Sequence, residues 1–206
     1  MAKVRPAVVV SLVLLVSGSV GATGQEAVPL FDGLGGFSRK VTTGSPEAQR
    51  YFDQGLAFMY AFNHDEAIRA FRRAGELDPK CAMAFWGVAT ANGPHINNPV
   101  MDEAHSVAAW NALQNAKARA SNVTPTEKAL IDALASRYAD PSKGTPPSTP
   151  VERAPYDKAY AAAMELAQNG ADRLAVFDEK TLGDLELQAL RRNAGFPESG
   201  LDLFEE

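Results

Sequence analysis

Between Arg50 and Gly93, small residues and aromatics recur at helical spacing, and this stretch constrains the fold more tightly than any other. Tyr51, Gly55 and Phe58 are spaced by four and three residues, Ala67, Phe71 and Ala74 likewise, and Pro79 follows. Residues three and four apart share one face of a helix, so each set marks a face and the proline marks an end. Upstream, Ser45-Pro46-Glu47 has the composition of a helix start. Serine accepts from a free amide, proline tolerates the first turn, and glutamate suits the positive end of the dipole. The same reading predicts helices over Glu47–Phe62, Asp65–Leu77, Cys81–Ala91, Met101–Ala120, Thr126–Tyr138 and Tyr156–Asn169. No run alternates at period two for long enough to make a sheet, so the expected class is all-α.

Laid on a period of roughly 34 residues starting at Ala48, the defining positions are Tyr51, Gly55, Phe58, Ala67, Phe71, Ala74 and Pro79. This resembles the tetratricopeptide repeat (TPR). The departure is Gln54, where the repeat usually has leucine. Gly55, Ala67 and Ala74 let two antiparallel helices approach, Phe58 and Phe71 fill the space beside them, and Pro79 ends the second helix. A second unit begins at Ala82 with Phe85, Val88 and Ala89 in register, but "NGPHINNPV" lengthens it before Ala109, Leu113 and Ala116. A third unit would pair Thr126–Tyr138 with Tyr156–Asn169 across "ADPSKGTPPSTPVERAP", read as a proline-rich loop. "LDPKCAMAFWGVATANGPHINNPV", "TPTEKALIDALASRYA" and "YDKAYAAAMELA" together look like a family of exported bacterial TPR proteins. The resemblance covers Ser45 to Gln168 and implies a right-handed superhelical solenoid of helical hairpins.

It further implies a ligand groove on the first helix of each unit. In the first unit Gln49, Phe52, Leu56, Met59 and Tyr60 would face it; in the second, Met83, Trp86, Thr90, Gly93 and Pro94. The stripe of Phe52, Leu56, Met59, Tyr60, Met83 and Trp86 is apolar and aromatic. It lacks the Lys/Arg-Asn clamp that grips a terminal carboxylate, so it suits an extended or helical apolar segment of a protein partner. The competing reading is that the chain's own arm or tail covers it.

The start of the chain sets the compartment. "MAKVRP", the apolar "AVVVSLVLLV" and the small-residue stretch ending at Val20-Gly21-Ala22 read as a signal peptide, residues 1–22. The expected location is the periplasm or outside the cell, with a membrane-tethered scaffold as the alternative if the leader is retained. Residues 23–45 are glycine-rich and read as a flexible arm, 46–169 as the solenoid. Residues 170–206 read as a short helix, with Leu182, Leu185, Ala189 and Leu190 on one face, and an acidic tail. The net charge of −5 becomes −7 once Lys3 and Arg5 leave with the leader, and no Lys/Arg cluster exists to neutralise phosphates. A nucleic-acid partner is therefore not expected.

No catalytic constellation is present. There is no phosphate-binding Gly-Lys-Ser/Thr loop and no nucleophile elbow, while Asp102-Glu103 and Glu205-Glu206 are adjacent carboxylates on solvated segments. His64, His95 and His105 lack the spacing of a structural zinc site. A rival reading is a soft-metal, copper-handling protein built from Cys81, Met83, Met101, His95 and His105. The preferred expectation is a non-enzymatic binding or assembly module with neither metal nor cofactor.

Overall fold

A computed structural model of the chain describes residues 28–172. The leader, the first residues of the arm and the tail helix expected above lie outside them. The described residues form six α-helices and two short 3-10 turns, and no strand beyond one isolated bridge. The helices are α1 (Pro46–Tyr60), α2 (His64–Leu77), α3 (Ala82–Ala91), α4 (Glu103–Ala118), α5 (Pro125–Leu134) and α6 (Pro150–Asp172).

Most starts follow from local side-chain chemistry. Ser45 accepts from the Ala48 amide at 3.1 Å, and Asp102 accepts from that of His105 at 2.8 Å, which is why α4 opens at Glu103 rather than Met101. Thr124 and Glu127 form a reciprocal capping box ahead of α5. The same pattern recurs in Thr149-Pro150-Val151-Glu152. There the Glu152 carboxylate accepts from the amides of Ser148 and Thr149, each at 3.0 Å. Helix α6 therefore starts at Pro150, inside the segment expected to be a loop, and carries Pro155 within it. Pro155 has no amide to offer the Val151 carbonyl, and Val151 is solvent-exposed, so water can take that acceptor. Helix α5 stops at Leu134, short of Tyr138, because Arg137 and Tyr138 turn inward.

The helices pack as sequential neighbours, α1 on α2, α2 on α3, α3 on α4 and α5 on α6. Phe71 of α2 is the wedge of the first layers. A Cβ placed on Gly55 of α1 would come within 2.6 Å of its ring, and one placed on Gly87 of α3 within 2.5 Å. The two glycines thus admit one aromatic ring between three backbones, and Phe52 meets the same ring at 5.4 Å between centroids. A Cβ on Gly75 would meet nothing closer than 3.4 Å.

These distances predict a change of sign along one substitution type. Gly→Ala inside a helix normally stabilises by roughly 0.5–1 kcal/mol, and Gly75→Ala should do so. Gly55→Ala and Gly87→Ala should instead destabilise by about 1–3 kcal/mol, because Phe71 has no room to yield. Urea midpoints of the three variants beside the wild type decide it; stabilisation at Gly55 and Gly87 would contradict the wedge.

Candidate functional site

Residues 28–43 lie along α1 in two legs. At 3.6 residues per turn, Tyr51, Gln54 and Phe58 fall on one flank of α1, and Gln49, Asp53 and Tyr60 on the opposite flank. The first leg runs up the former flank. Tyr51 Oη donates to the Val28 carbonyl at 2.7 Å, and the Phe31 ring stands edge-on to Phe58, 5.6 Å between centroids. Gln54 Nε2 donates to the Pro29 carbonyl at 2.9 Å, and its Oε1 accepts from the Phe31 amide at 2.8 Å. The chain reverses through Gly33 and Gly35, whose φ values of 81° and 87° favour glycine.

The second leg returns down the other flank. Phe37 meets Tyr60 edge-on at 6.5 Å, and the Asp53 carboxylate accepts from the Ser38 hydroxyl at 2.7 Å and the Arg39 amide at 3.0 Å. Gln49 Nε2 donates to the Arg39 carbonyl at 2.8 Å while its Oε1 accepts from the Val41 amide at 3.0 Å. Thr42 then donates through its amide and hydroxyl to the two oxygens of Glu127 at the start of α5, each at 2.6 Å. Thr43 donates to Asp78, and that hydroxyl, with the amides of Lys80 and Gly44, holds the Asp78 carboxyl below its ordinary range. Burial pushes the Arg39 guanidinium down from its ordinary value, while nearby Tyr60 and Glu127 oppose the shift.

The apolar stripe is not an open surface. Phe52, Leu56, Met59, Met83 and Trp86 are all buried and Tyr60 is partly buried. They share one core with Val41 of the arm, and the arm's Val28 and Leu30 pack against that core. Of the repeat-defining set, Tyr51, Gly55, Ala67, Phe71 and Ala74 are buried, Phe58 lies half-buried beneath Phe31, and Pro79 is exposed just after α2. Sequence reasoning singled out Gln54 only as a departure from the repeat, and it did not single out Asp53 at all.

The soft-metal set is divided between the core and a separate cavity. Cys81 and Met83 lie in the core, and burial pushes the Cys81 thiol up to about 11, away from the thiolate a metal needs. Met101 Sδ instead accepts from Arg153 Nη1 at 3.2 Å. His95, Met101 and His105 line a separate cavity of 360 Å³ together with His64. Among the described residues no three His, Cys, Asp or Glu side chains are placed to hold one ion.

No protein-family model matches the chain, and no curated protein or solved structure matches it.

Proposed function

We propose that the protein is an exported, TPR-like module whose first helix binds an extended segment of a protein partner, and that its own residues 28–43 hold this site in cis. The observation that carries the reading is the pair of glutamines. Gln54 bonds the carbonyl of residue 29 and the amide of residue 31; Gln49 bonds the carbonyl of residue 39 and the amide of residue 41. Both therefore read the same main-chain pattern, a carbonyl and the amide two residues on, which point to one side of any extended chain. The grip is independent of side chains, as in recognition by strand addition. Selectivity comes from Phe58 and Tyr60, which meet the aromatic rings of Phe31 and Phe37. An extended partner segment carrying aromatic residues fits both devices. The leader supports export, with membrane attachment as the consequence of a retained leader, and the acidic balance disfavours nucleic acid.

The test uses the full chain. A tethered arm competes at an effective concentration near the millimolar range, so a labelled peptide of residues 28–43 should not bind wild type at micromolar concentrations. The double substitution Phe31→Ser and Phe37→Ser should loosen the arm, speed exchange of the Phe31 and Val41 amides, and let the peptide bind. Adding Gln49→Leu and Gln54→Leu should abolish that binding. Free exchange of both amides with no peptide bound would remove the basis for the proposal.

A further inference from the structure

The chain has three histidines, His64, His95 and His105, from three separate segments, and all three line the 360 Å³ cavity. His64 opens α2 directly after a turn that holds Phe62 at φ 61°, an uncommon conformation for a bulky residue and one that marks a constrained site. His95 begins a tight reversal in which its own backbone and that of Asn98 exchange both hydrogen bonds at 3.0 Å. The two rings stack, with centroids 3.9 Å apart and planes 16° from parallel. His95 Nδ1 is buried and makes no hydrogen bond.

We infer that the stacked His64–His95 pair is an acid-sensitive clasp that fastens the loop of residues 93–101 to the turn between α1 and α2. The charges around it support this. Asp65 stands beside His64 on α2; Asp102 and His105 stand at the start of α4; Arg137 reaches in from beyond α5 and donates to the Pro94 carbonyl at 2.8 Å. Asp102 is already engaged by the amide and ring of His105, and both side chains are exposed. The influences on His95 all disfavour its protonated form. Burial first, then His64 and Arg137, push its imidazole below the ordinary value of 6.5. A released loop lets His95 bind a proton more readily than a docked one. The clasp is therefore complete above the ordinary histidine pKa and is lost as pH falls below it. Release would reshape the apolar rim made by exposed Phe62 and Val100 and uncover Ile68, which lines the same cavity.

Backbone 15N relaxation at Ile96 and Asn97 reads the state of the loop. In wild type, order parameters should fall from about 0.85 near neutral pH to below about 0.6 near pH 5, with the helices unchanged. His95→Gln and His64→Gln should each flatten that profile, and His105→Gln should preserve it. A wild-type loop equally rigid at both pH values overturns the inference, and so does a pH dependence that survives in both the His95 and His64 variants.

Discussion

Trp86→Glu will unfold the helical domain. On an open groove the same substitution would leave the helices intact and only abolish partner capture, as the sequence alone suggests. Trp86 is instead 7% exposed, and its Nε1 is buried without an acceptor. Losing a buried tryptophan's packing costs about 3–5 kcal/mol, and an unpaired carboxylate in its place adds the expense of desolvation. Total stability of domains this size is only about 5–15 kcal/mol, so the two together consume most of it. Trp86→Phe separates packing from polarity. It keeps most of the ring volume and deletes the orphaned donor, so it should cost under about 2 kcal/mol. Far-ultraviolet circular dichroism and urea denaturation of both variants suffice. Native helix content and an unchanged midpoint in Trp86→Glu would show that Trp86 is not part of the packed core.

What the sequence disclosed and what it hid divide along the range of the interactions. The order of the helices was legible because most are announced locally, as by Ser45-Pro46-Glu47 or by Thr124 and Glu127, and continued by spacing. The start of α6 was equally announced, by Thr149 and Glu152, but five prolines between Ala139 and Pro155 argued for a loop and outweighed it. Prolines at the first helical turn cost nothing, and that distinction was there to be used. The groove positions were found by period, whereas their burial is a property of the shared tertiary core, which no period encodes. Gln54 stood out as an anomaly in the repeat, but its partners are main-chain groups of residues 29 and 31, which no side-chain pattern encodes. Arg137, Arg153 and Asp157 were invisible for a related reason. Charged residues on helices are solvated by default, and only tertiary packing buries them.

Asp157→Ala should destabilise the protein more than any other single charge removal. Two guanidiniums face this one carboxylate: Arg137 Nε lies 3.7 Å and Arg153 Nη2 3.6 Å from Asp157 Oδ1. The Arg side chains are 3% and 2% exposed and that of Asp157 is 10% exposed, so solvent screens the group little. Arg153 also donates to the Arg137 carbonyl at 3.1 Å, and the Arg137 guanidinium lies 4.8 Å from the centre of the Tyr160 ring. These contacts hold the start of α6 against the end of α5. Burial already pushes the Arg153 pKa down from its ordinary value, and Asp157 is the chief influence raising it. Deleting the carboxylate takes away the chief charge partner of buried Arg153, and breaking a buried pair in this way costs about 3–5 kcal/mol. The companion variant Asp157→Leu with Arg153→Met removes one charge of each sign at similar volume. It should recover most of that loss, because well-packed apolar replacements of buried pairs are often close to neutral. Urea midpoints of the single and double variants measure the difference. If Asp157→Ala costs under about 1 kcal/mol, the value typical of exposed pairs, solvent reaches the guanidiniums and the cluster is not a buried one.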